Sequence, residues 1–146
     1  MEKKDIALKQ LRRAVKVYKE KDYVCAITLA GAAEEILGKI ALKRTGSNEL
    51  ERQAIWEKDV NNYLAEEHTL KRPLPDEKEI KKSINRIRNE LKHNDTGENV
   101  WLNEHKERWE YEASGHIIRA VKNYFNAYNE MPKDRIIMNV FYWLTM

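Results

Sequence analysis

Residues 76–94 read DEKEIKKSINRIRNELKHN, and their spacing decides the fold class. Asp76, with Glu79 three positions on, is a capping-box opening for a helix. Ile80, Ile84, Ile87 and Leu91 then fall within about 60° of one another at 100° per residue, which makes one edge to be buried. Arg88 lies roughly 70° from the centre of that edge, while Asn89 and His93 fall on the opposite side. Lys81, Lys82, Asn85 and Lys92 share this far face, with Arg86 at its margin. The reading is one helix ending near Asn94, with a core edge of isoleucine and leucine and a back of cations, two amides and an imidazole.

Working outward, helical periodicity recurs along the chain and no segment alternates like a strand. A first helix is expected over about Lys4 to Lys19, with a stripe of Ala7, Leu8, Leu11, Ala14, Val15 and Tyr18. Asp22 caps a second, which runs to about Lys43 and stops at Gly46. Its main apolar face reads Cys25, Ala26, Leu29, Ala33, Ile36, Leu37 and Ile40. Thr28, Gly31 and Gly38 lie on the other side, where small residues admit a close helix neighbour. Apolar nearly all round, this helix belongs at the centre of a bundle.

Asn48 and Glu51 open a third helix, roughly Glu49 to Glu67, with a weak stripe of Leu50, Ile55, Tyr63 and Leu64. Two prolines in Lys71-Arg72-Pro73-Leu74-Pro75 make a loop, and Asn94-Asp95-Thr96-Gly97 reads as a turn. A long helix follows from about Asn103 to Asn129, stopped by Pro132, and Asp134 opens a short last one. The expected architecture is all-α: a single domain over residues 1–146, with four to five main helices and a short C-terminal one.

The 146 residues suffice for a core without staples. A charged fraction of 35% against 42% hydrophobic suits a bundle with charged outer faces and argues against long disorder. A net charge of +3 is too mild to name nucleic acid as a partner by itself. The lone Cys25 excludes an internal disulfide, suits a reducing compartment and reads as a packed residue. No apolar run follows the basic start and no span is long enough for a bilayer, so a cytoplasmic protein without membrane association is expected.

A charged helix face is ordinarily a solvated surface. Two features here point further. Asn89 and His93 are four apart and can meet, and Arg88 borders them. A permanent cation, an amide and a group titrating near neutrality together suit a phosphodiester. This Arg88-Asn89-x-x-x-His93 arrangement resembles the R-x4-H signature of the HEPN superfamily (higher eukaryotes and prokaryotes nucleotide-binding domains), small helical bundles whose motif lies on a late helix before one more long helix. The segment Ala30-Gly31-Ala32-Ala33-Glu34-Glu35-Ile36-Leu37 is similar to the small-residue second helix of several bacterial members.

The resemblance implies a HEPN-like helical bundle and a metal-independent endoribonuclease with no cofactor. It implies a homodimer in which motif helices of both subunits line one cleft, and an RNA substrate. A toxin or defence effector is one setting, with an antitoxin such as a minimal nucleotidyltransferase as partner. Carried over, His93 exchanges protons at the 2′-hydroxyl or the leaving oxygen, Arg88 stabilises charge on the phosphoryl oxygens, and Asn89 orients phosphate or imidazole. Lys81, Lys82, Asn85 and Lys92 are the expected RNA contacts. Some toxin members carry a tyrosine two residues after the histidine, where this chain has Asp95. Asp95 is a possible supporting residue, as are Glu34 and Glu35, which could pair with Arg88 or hold His93, although a plain ion pair is the commoner use.

Other readings stay open. A non-catalytic HEPN-like dimeric module could bind nucleotide, RNA or protein through the same cleft, and a scaffold could match the motif by accident. His105, Trp109, Glu112 and His116 share one face of the expected long helix, but metal sites of this kind need ligands from several helices, so no metal is expected. Trp101, Trp109 and Tyr111 could stack on bases, though core or dimer contact is more usual. Phe141, Tyr142 and Trp143 suggest an exposed apolar surface near the C-terminus.

Overall fold

The computed structural model describes residues 1–68, 73–93 and 100–146. Among these the chain is all-α, without a strand. The helices are α1 (Lys3–Lys19), α2 (Tyr23–Thr45), α3 (Glu49–His68), α4 (Glu77–Ile84), α5 (Arg86–Lys92), α6 (Val100–Glu104), α7 (Trp109–Tyr128) and α8 (Arg135–Thr145). No helix among the described residues is long and apolar enough to cross a membrane. The expected turn at 94–97, with Asp95, lies outside the described residues, as do Lys71 and Arg72 of the proline loop.

The expected caps are formed. Asp22 Oδ1 accepts the Cys25 N–H at 3.2 Å, Asn48 Oδ1 that of Glu51 at 3.0 Å, and Asp76 Oδ1 that of Glu79 at 2.8 Å. Asp134 Oδ1 accepts from both Ile136 and Ile137. Gly46 ends α2 in the left-handed region at φ +85°, which costs a glycine nothing.

The second helix is central, packed between α1 and α7 and touching α5. Its buried face is Ala26, Ile27, Ala30, Gly31, Ala33, Glu34, Leu37, Gly38 and Ala41. This face is rotated from the expected one: Cys25 is exposed, and Leu29, Ile36 and Ile40 are only partly buried. The small residues win the interior because α7 and α5 approach there, where longer side chains would hold them apart. The main core joins this face to Leu11 and Val15 of α1, Ile117 and Val121 of α7 and Ile137 and Phe141 of α8. Phe141 is thus buried, not exposed as expected, whereas Tyr142 and Trp143 do face outward. In α3 the buried residue is Ala54, and Ile55, Tyr63 and Leu64 of the expected stripe are exposed.

Two helices expected to be continuous are interrupted. The 76–94 helix breaks at Asn85, whose N–H is shared between the Lys81 and Ser83 carbonyls, and α5 ends at Lys92 with His93 as its cap. Asparagine tolerates such a junction because it is a poor helix former. The break divides the isoleucine edge: Ile80 and Ile84 form a small cluster with Ala54 of α3, while Ile87 enters the main core with Leu91 against it. The long helix begins at Trp109 instead of Asn103. His105 Nδ1 lies 2.7 Å from the Trp101 carbonyl, taking the acceptor that a continuing helix would use, and the His105 N–H turns to Leu102 instead. A 3₁₀ turn at Lys106–Arg108 then leads into α7.

Ile80 and Ile87 look equivalent in the sequence but sit in cores of different size. Ile87→Ala should cost about 4 kcal/mol and Ile80→Ala about 2 kcal/mol, because the small cluster can close over the space. Urea denaturation of the two variants checks the order.

Candidate functional site

The site begins with an absence on α2. A Cβ on Gly31 would stand within 2.5 Å of Arg88 Nε, so the Arg88 side chain lies across bare helix backbone. One turn further along α2, Glu35 Oε2 accepts from Arg88 Nη2 at 2.7 Å. The Arg88 side chain is 13% exposed and that of Glu35 42%. The hydrogen bond from Arg88 is the main reason that Glu35 stays below the usual carboxylate range, with Lys39 at 3.4 Å adding to it.

Arg88 separates two grooves. The larger, of 750 Å³, runs between α1, α2 and α5 and has an apolar floor of Ile6, Ile36, Ile40 and Leu91. The smaller, of 340 Å³, lies between α2, α3, α5 and α7 and is rich in amides: Asn48, Asn85, Asn89 and Asn123 all line it. Glu35, Lys39, Arg88 and Lys92 border both.

Of the residues singled out in the sequence, the structure thus brings together Arg88, Asn85, Asn89, Lys92 and Glu35, with Glu34 on the wall of the smaller groove. Three do not join them. The Lys81 ammonium pairs with Glu77 at 3.2 Å and Glu51 at 3.7 Å, towards α3. Lys82 lies with Arg86 and Asn89 on a separate shallow surface. His93 is exposed at the end of α5 and lines neither groove, its backbone N–H donating to the Asn89 carbonyl at 3.0 Å.

Glu34 is buried, and it serves a different partner from the expected Arg88 or His93. His116 Nδ1–H donates to its Oε1 at 2.6 Å and Arg119 Nε to its Oε2 at 3.0 Å, and Arg119 Nη1 continues to Gln53 Oε1 at 3.0 Å. Burial raises the pKa of Glu34, but the His116 hydrogen bond and the Arg119 charge outweigh it and hold the carboxyl below its ordinary value. The expected single face of His105, Trp109, Glu112 and His116 is not formed, because His105 precedes α7 and stacks on Trp101 at 4.3 Å. Glu112 pairs with Arg108. Among the described residues no group of three or more His, Cys, Asp or Glu is placed to hold a metal ion. The Arg86 guanidinium lies 3.9 Å over the Trp101 ring, Trp109 packs on the core, and Tyr111 is exposed.

Sequence reasoning did not find Asn48 and Asn123 as groove residues, nor His116 and Arg119 as partners of Glu34. The Gly31/Gly38 spacing, two turns apart on one face, was the available signal that other groups come close there. In comparisons with known proteins, no family model, no curated protein and no solved structure matches the chain.

Two outcomes follow from this geometry. Glycine to alanine in a helix interior ordinarily gains about 1 kcal/mol. Gly31→Ala should not show that gain, because the new methyl displaces Arg88 from Glu35; thermal melting beside an Arg88→Ala control tests this. Glu34, with its pKa lowered by folding, stabilises the protein fully above the ordinary carboxylate value of about 4.3. That contribution is lost as pH falls through the lower folded value. Glu34→Gln should cost about 3 kcal/mol at neutral pH by leaving Arg119 buried without its counter-charge, and should flatten the acid limb of a melting-versus-pH curve.

Proposed function

We propose that the chain is a HEPN-type, metal-independent endoribonuclease that works as a homodimer. One observation carries this reading: the Arg88 guanidinium is held on bare helix backbone by Glu35, at the border of a groove that also carries four amides, Lys39 and Lys92. The groove's other carboxylate, Glu34, is taken by His116 and Arg119. A preorganised guanidinium is what a phosphodiester transition state needs, since charge grows on the phosphoryl oxygens as the bond to the leaving group breaks. His93, solvent-exposed one turn beyond Asn89, takes the proton of the 2′-hydroxyl. That oxygen attacks phosphorus, the 5′-oxygen leaves with a proton, and a 2′,3′-cyclic phosphate remains. DNA lacks the attacking group and is not a substrate. Lys92 and Lys39 attract the backbone, and the apolar groove beside Arg88 is the surface for the second subunit. A cytoplasmic toxin or defence effector, restrained by a partner protein, is the setting in which such an activity fits.

The position of His93 outside both grooves favours a second reading, a non-catalytic module that binds nucleotide or RNA at Arg88. RNA cleavage assays separate the two. Activity should persist in EDTA and leave cyclic phosphate ends. His93→Ala should lower the rate by about 10²–10⁴-fold with little loss of RNA binding, while Arg88→Ala should weaken both rate and binding. Binding without any His93-dependent cleavage would establish the module instead.

A further inference from the structure

The smaller groove contains a group that the Arg88 chemistry does not use. Asn123 on α7 is 1% exposed, and its Oδ1 accepts the backbone N–H of Glu49 at 2.9 Å. That bond fixes the amide, because only the oxygen can accept. The opposite end, Nδ2, has no hydrogen-bond partner among the described residues, and Asn123 lines the groove. A buried donor left unpaired is costly and calls for an acceptor.

A second amide stands beside it. Asn48 spends its Oδ1 on capping α3 and directs Nδ2 towards the Gly38 carbonyl at 3.4 Å, near the long limit of a hydrogen bond. A Cβ on Gly38 would lie 3.3 Å from Asn123 Nδ2 and 3.5 Å from Asn48 Nδ2. The two amide donors therefore bracket one bare patch of α2, with both oxygens committed to N–H groups at the start of α3. The inner wall of the groove thus holds one buried, unpartnered donor and one weakly engaged one, beside a Glu34 carboxylate already taken by His116 and Arg119. Its border holds Arg88 and Lys92 with Glu35.

We infer that this groove is a base-recognition subsite for keto bases. On the edge that faces the major groove in a duplex, guanine presents O6 and N7, and uracil O4, to a pair of donors, whereas adenine and cytosine carry there an amino group that would meet a donor with a donor. The phosphate of the same nucleotide lies at Arg88 and Lys92, a clause that rests on the ribonuclease reading; the donor pair does not.

The test measures binding of the four ribonucleoside 5′-monophosphates by calorimetry, in the native protein and in His93→Ala, which leaves the groove intact. The tighter of GMP and UMP should bind about tenfold or more better than AMP and CMP. Asn123→Asp keeps the acceptor for the Glu49 N–H but replaces the donor, and should abolish that preference; it buries a carboxylate, so its melting curve is read beside its binding. Gly38→Ala, which suits a helix interior, places a methyl on the patch and should abolish it as well. Equal affinity for all four nucleotides, no saturable binding, or an unchanged preference in a folded variant overturns the subsite. His93-dependent RNA cleavage without a keto preference would sink the subsite alone. Keto-selective binding without cleavage would sink the ribonuclease reading alone.

Discussion

Gly31 has no side chain, and Arg88 occupies the space that a methyl would fill. A guanidinium laid over helix backbone brings α5 down onto α2, and Glu35 holds it there from the same helix. Everything distinctive about the surface depends on this approach. It divides the face of α2 into an apolar groove on the α1 side and an amide-lined one on the α3 side, and it keeps a cation at the border of both. A larger residue at position 31 would lift α5 and merge the two.

Below that surface, α2 and α7 are joined by charge as well as by packing. Glu34 is almost fully enclosed, and its two oxygens are taken by His116 and Arg119. A buried carboxylate is tolerated only when its lone pairs are satisfied in this way, and the arrangement sets the rotation of α2 against α7. That rotation turns Gly31, Gly38 and the alanines inward and leaves Ile36 and Ile40 at the groove. The interior polar network and the exterior groove are two consequences of one helix orientation.

The amides show how a fold can furnish chemistry that no motif announces. Asn48 and Asn123 each use their oxygen to hold the start of α3; Asn48 Nδ2 then turns to the Gly38 carbonyl, and Asn123 Nδ2 is left buried without a partner at the groove wall. Structural duty for one end of the side chain orients the other end. With Arg88 beside them, the groove pairs neutral donors with a cation, a combination suited to a base and its phosphate.

The sequence by itself determined the helices and most of their ends, because caps and hydrophobic periodicity are local. Asp22, Asn48, Asp76, Asp134 and Gly46 do what their positions announce, each through a hydrogen bond or a backbone angle within a few residues. It also pointed to Arg88, from one helix face. The break at Asn85 was not legible, since the isoleucine edge runs on through it, and only packing against two separate cores divides that edge between Ile84 and Ile87. Nor was the divergence of the polar face legible: Lys81 turns to carboxylates of α3 and α4, while Arg88 turns to α2. The sequence named Arg88 as a partner for either Glu34 or Glu35, and tertiary structure decided that it goes to Glu35 while Glu34 takes His116 and Arg119. Adjacent on one helix, the two glutamates point about 100° apart, so one meets α7 in the interior and the other meets α5 at the groove.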